Sequence, residues 1–132
     1  MMYLFDTDFL IGYLRNNAQA VSKMRLLLQA KNFCFITPVN IHELIKGAYL
    51  SKNVEENFNK AYTLIQSLNF VAFDKQSVFL SGKLFVEQEK KGQISGENDI
   101  FIAAIALRYG LVLLTRNKKH FQDISGLKME EW

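Results

Sequence analysis

The chain is poor in the residues that staple or break a fold: of 132 residues one is cysteine, one proline, one tryptophan and two histidine. A lone thiol, Cys34, excludes a disulfide framework within the chain, and its place in the apolar run FCFI makes a packed side chain the ordinary expectation. That usage suits a reducing compartment. No apolar run approaches the ~18 residues needed to span a bilayer. The opening MMYLFDTDFLIGYL is too short and too acidic for a signal peptide, so a cytoplasmic protein with no membrane partner is expected. There is no repeat, low-complexity tract or linker, and residues 1–132 are expected to form one domain with a substantial core. Neither sign of charge dominates: 16 Lys and Arg against 13 Asp and Glu leave a net charge of +3, which permits a polyanionic partner without demanding one.

What the chain does have is short apolar runs alternating with helical stripes. MYLFD reads as a buried strand leading into a helix through DFLIGYL, with Asp6 or Thr7 as its cap. Val21, Met24, Leu27 and Leu28 recur at helical spacing over residues 18–30. Residues 33–36 form the next strand, and Pro38 falls where the first turn of a helix tolerates it. In that helix Ile41, Leu44, Ile45 and Ala48 make the apolar stripe, with Glu43 off it. Further on the pattern predicts a helix over 54–68, a strand over 69–73, a helix over 75–90 ended by KKGQISGEN, a helix over 99–109 closed by Gly110, and a buried strand in LVLLT. Near-continuous apolar strands alternating with helices predict an α/β three-layer sandwich, with a mostly parallel central sheet flanked by helices. Ligands of such sheets bind beyond the carboxyl ends of the strands. Asp6, Thr37 and the stretch from Thr115 to Asn117 fall there.

Three carboxylates stand where a packed domain rarely spends them. Asp6 ends the run YLF, Glu43 lies within VNIHELIKGAYL, and Asp99 opens IFIAAIAL. Burying an isolated anion is strongly unfavourable unless a cation neutralises it, so a fold that gathers all three points to a divalent metal. Each also has a plainer role. Asp6 can cap a helix, Glu43 can sit exposed beside Lys46, and Asp99 can be favoured by the helix dipole behind a cap at Asn98 or Ser95.

Two families share parts of this pattern. An apolar strand ending in the DxD of FDTDFL resembles the haloacid-dehalogenase-like phosphatases, which would make Asp6 a nucleophile, Asp8 an acid/base, Thr37 a phosphoryl binder and GEND a magnesium loop. That family's last acidic pair follows an apolar strand, which KKGQIS is not, and Glu43 is left without a role. The order FDTDFLI, HELIKG after a strand and a proline, ENDIFIAAIAL, LVLLTRNKKHF and the closing SGLKMEEW resembles the PIN-domain ribonucleases over nearly the whole chain. Within them it looks most like the VapC-type toxins of toxin–antitoxin pairs.

The resemblance implies a metal-dependent endoribonuclease that hydrolyses RNA phosphodiesters, with tRNA the favoured substrate over messenger or ribosomal RNA, leaving a 5′-phosphate and a 3′-hydroxyl. It implies Mg2+ or Mn2+ held by Asp6, Glu43 and Asp99, with Thr115 and Asn117 as the Thr-x-Asn/Asp element beside the metal. Asn117 stands where the fullest acidic set has a carboxylate, and Glu97 or Asp123 is the candidate substitute. Arg15, Lys46, Arg116, Lys118 and Lys119 are expected to form a basic rim that lets RNA approach an anionic centre. The implied partners are a VapB-type antitoxin and a second copy of the chain, with Phe9, Tyr13 and Leu14 as candidate homodimer side chains. Neither histidine has an evident partner: His42 reads as helix surface, and His120 at most as a phosphate contact. The non-catalytic alternative is a PIN-like RNA-binding domain that has lost its metal.

Overall fold

The computed structural model describes residues 1–93 and 96–132. Its strands are β1 (Met2–Phe5), β2 (Phe33–Ile36), β3 (Asn69–Phe70), β4 (Val112–Leu114) and β5 (Met129–Glu130). They form one sheet in the order β3-β2-β1-β4-β5, with every pairing parallel. Between them run α1 (Thr7–Leu14), α2 (Ala18–Gln29), α3 (Pro38–Leu50), α4 (Val54–Ser67), α5 (Lys75–Lys90), α6 (Glu97–Tyr109) and α7 (Lys118–Phe121).

Strand side chains alternate between two cores, as a pleated strand requires. Tyr3, Phe5, Cys34, Ile36, Val112 and Leu114 pack with α1, α2, α3 and α4. Leu4, Phe35 and Leu113 pack on the other face with α5 and α6. Both faces are covered, which explains strands without a polar side. Gly110 closes α6 in the left-handed region at φ 65°, where a glycine carries no Cβ penalty, and Leu111 N–H returns to Ala106 O at 2.9 Å.

Two boundaries differ from the sequence pattern by more than one residue. β3 stops at Phe70 instead of residue 73 because β2 offers only Phe35 and Ile36 as partners before Thr37 turns into α3. Val71 N–H takes the last carbonyl, Ile36 O, at 2.9 Å. Helix α6 begins at Glu97, and Gly96 at its N-cap contributes no side-chain bond. Asn98 therefore sits inside the first turn and is not the cap, while Ser95 lies outside the described residues. The elements α7 and β5 are too short for periodicity to reveal. Among the described residues no helix is long and apolar enough to cross a membrane.

The strand order fixes where a ligand can sit. From β1 the chain winds outward through β2 to β3, then returns to add β4 and β5 on the opposite side of β1. The order reverses between β1 and β4, and the crevice beyond their carboxyl ends is the natural site.

Candidate metal centre

Asp6 leaves β1 at that reversal. Its backbone N–H donates to Leu114 O at 3.0 Å, extending the β1 to β4 pairing by one step. This brings Thr115, the residue after β4, against the Asp6 side chain, and Thr115 Oγ1 donates to Asp6 Oδ2 at 2.7 Å. Although Asp6 occupies the N-cap position of α1, its carboxylate makes no capping bond, so the cap role fails. The residue is only 4% exposed. Burial pushes its pKa up to about 6, opposed by the Thr115 bond and reinforced by the charges of Asp99 and Asp8. Among the described residues no cation forms an ion pair with it.

Glu43 is positioned by a buried polar chain that begins at Asn40. Thr37 and Asn40 close a reciprocal capping box at the start of α3, with Asn40 N–H donating to Thr37 Oγ1 at 3.1 Å and Thr37 N–H donating to Asn40 Oδ1 at 2.9 Å. The Asn40 amide is then free to donate across the sheet end, to Phe5 O at 3.1 Å and to Thr7 Oγ1 at 2.9 Å. Thr7, oriented in this way, donates its hydroxyl to Glu43 Oε1 at 2.6 Å. Glu43 is thus half-buried and turned toward α1, not exposed and paired with Lys46, which stays in solvent.

Asp99 and Asp8 complete the acidic set. Burial raises the Asp99 pKa, the nearby His120 opposes the shift by charge and hydrogen bond, and Glu43 and Asp8 add to it. His120 Nδ1 lies 3.2 Å from Asp99 Oδ2, so this histidine has the partner that its sequence context does not reveal. Helix α7 places it there by burying Phe121 completely in the core beneath. Asn117 donates from Nδ2 to Asp8 Oδ2 at 2.8 Å, and its backbone N–H donates to Thr115 Oγ1 at 2.9 Å. The fourth carboxylate that acts on Asp6 and Asp99 is therefore Asp8. Glu97 is exposed beside Phe85 and Phe101, and the Asp123 carbonyl takes Lys91 Nζ at 2.7 Å.

The basic residues are less uniform. Arg15 lines a groove that also reaches Glu43, while Lys46 and Lys119 are exposed. Lys118 is half-buried at the start of α7. Arg116 bonds Gln19 and lies over the Trp132 ring at 3.6 Å from its centroid, which ties it to the chain's own surface. Phe9 is fully buried between Phe5 and Trp132, at ring separations of 4.8 and 5.2 Å, so it belongs to the core and cannot serve a homodimer face. Tyr13 and Leu14 are half-buried against the same core.

Each carboxylate has a polar side chain against it: Thr115 at Asp6, Thr7 at Glu43, Asn117 at Asp8 and His120 at Asp99. Among the described residues no three His, Cys, Asp or Glu side chains already stand at metal-ligand spacing. The donor set nonetheless fits a hard divalent cation. It offers carboxylate and amide oxygens, and burial raises the pKa of two of its acids, with neighbouring carboxylates adding to the shift.

A family model, the PIN domain, matches residues 3–127. Ribonuclease VapC2 of Rickettsia felis is 31% identical over 132 residues, covering 100% of this chain and 98% of that protein. The tRNA(fMet)-specific endonuclease VapC of Salmonella typhimurium is 30% identical, with the same coverage of 100% and 98%. Among solved structures, VapBC2 from Rickettsia felis bound to a DNA fragment from its promoter superposes with a TM-score of 0.91 at 30% identity, over 100% of this chain and 99% of that one.

Proposed function

The chain belongs to the PIN domain family, and on that premise we propose that it is a divalent-metal-dependent endoribonuclease and the toxin of a VapBC-type pair. One observation carries the chemistry: a buried Asp6 that has no cationic partner among the described residues, under the influence of Asp99 and Asp8, at the strand reversal of a parallel sheet. Asp6, Glu43 and Asp99 would hold Mg2+ or Mn2+, with Asp8 and Asn117 alongside. When bound, such an ion activates water and stabilises charge at phosphorus and on the leaving oxygen.

The chain's own residues supply position and charge. Thr115 fixes the Asp6 carboxylate, the chain from Asn40 through Thr7 fixes Glu43, and His120 fixes Asp99. These bonds set the acids before substrate arrives, so little reorganisation is left for the reaction. Arg15, Lys46, Lys118 and Lys119 offset the anionic centre for an approaching phosphate backbone. A tRNA substrate, a VapB-type antitoxin partner, a homodimer and a cytoplasmic setting complete the proposal; the first two are supported by the names of the relatives.

The phosphatase alternative loses its phosphoryl binder. Thr37 is fully buried and spends its hydroxyl on the α3 cap, and GEND opens a helix. The proposal is tested by incubating purified protein with tRNA in manganese and in EDTA. Cleavage only with manganese, absent from Asp6→Asn, is expected; metal-independent cleavage would remove the proposed role of the acids.

A further inference from the structure

A groove of about 170 Å³ opens between α1, α3 and α4 and shares Glu43 with the acidic centre. Leu14, Leu44, Ala48 and Ala61 give it an apolar floor, and the charged Arg15 and Lys60 also line it. Among the described residues Arg15 makes no ion pair, and Lys60 has only the exposed Glu56 at 3.1 Å, a weak surface contact. Apolar floor, two cations and an edge on the proposed cleavage centre are together the chemistry of one splayed-out nucleotide: a base in the groove, its phosphate on the cations.

We propose that this groove is the subsite for an unpaired RNA base next to the scissile phosphate. The proposal rests on the ribonuclease reading and adds the place on the chain where that base is held. Gly47 lines the groove, and a Cβ built there meets nothing within 4 Å. Gly47→Leu therefore starts a side chain from open space at the groove wall, and in a helix the change favours folding.

The test uses a six-nucleotide RNA carrying one 2-aminopurine, titrated into the full chain in EDTA, and cleavage of the same RNA in manganese. Keeping the base out of its apolar seat leaves roughly 60 Å² of its surface in water, so Gly47→Leu is expected to weaken binding about tenfold. Arg15→Gln should weaken it severalfold, and kcat/KM on the RNA should fall in step. Hydrolysis of bis(p-nitrophenyl) phosphate, a diester with no base, should be unchanged in Gly47→Leu, and the thermal stability of that variant should hold or rise. Wild-type binding and cleavage by Gly47→Leu would overturn the subsite, leave the ribonuclease reading intact, and assign the groove to a side chain of a protein partner. An equal loss by Gly47→Leu on the base-free diester would also overturn it. Groove-dependent binding in EDTA with no cleavage in manganese would keep the subsite and sink the ribonuclease reading instead.

Discussion

Asp6→Asn should make the metal-free protein more stable, and the size of the gain follows from burial. The folded protein raises the Asp6 pKa from 3.8 to about 6, a penalty of about 3 kcal/mol for the ionised form. The unfolded chain ionises from its own lower pKa upward, while the folded chain resists until about 6. Wild-type stability therefore falls as pH rises between these values and stays lower above them. An amide at this position carries no charge, so the variant lacks this fall. It accepts a weaker hydrogen bond from Thr115, which offsets the gain by about 1 kcal/mol. The net expectation in EDTA at neutral pH is about 2 kcal/mol, or ~7 °C in Tm for a chain of this size. Near pH 4 the two proteins should converge, because wild-type Asp6 is then neutral in the folded state. Thermal melts in EDTA across that pH range decide the matter. A variant no more stable than wild type at neutral pH, or a difference independent of pH, would refute the idea that Asp6 is a buried anion with no cation beside it among the described residues.

Thr115→Val removes the donor to Asp6 and the acceptor of Asn117 N–H from a fully buried position. Denaturant titration should show a loss of about 2–3 kcal/mol, and no loss would mean that water replaces the hydroxyl. Asn117→Asp sets a second carboxylate against Asp8, now bonded to Asn117 at 2.8 Å. The metal-free protein should melt lower and calorimetry should show tighter manganese binding, whereas unchanged affinity would show that Asn117 does not limit the site. Expression of the chain alone should arrest growth, relieved by Asp6→Asn or by co-expression of a cognate antitoxin. Harmless expression of folded wild-type protein would count against a toxin.

The acids that the sequence made legible are those whose neighbours are apolar: Asp6 after YLF and Asp99 before IFIAAIAL. Their local context favours burial, which is near complete at Asp6 and partial at Asp99. Asp8 was missed in the nuclease reading because it is exposed and gains its role only from Asn117, more than a hundred residues away in the chain. Glu43 was visible as a residue but not as a direction, since the helical stripe does not turn it toward the crevice. Asn40 does, through Thr7, and the signal was present in Thr37-Pro38-x-Asn40, a capping-box spacing with asparagine at the reciprocal position. His120 could not be placed without α7, a single turn defined by the burial of Phe121 rather than by any repeat. The parallel sheet was legible from strands apolar on both faces, while β5 depends on pairing with β4 that two residues cannot announce.

The central claim, that the gathered acids serve a metal that cuts RNA, is tested most directly by cleavage of tRNA with wild type, Asp6→Asn and Asp99→Asn in manganese, each shown to be folded by its melt. The account expects cleavage by wild type alone, abolished by EDTA, with 5′-phosphate ends on the products. Full cleavage by folded Asp99→Asn, or wild-type cleavage that persists in EDTA, would contradict it.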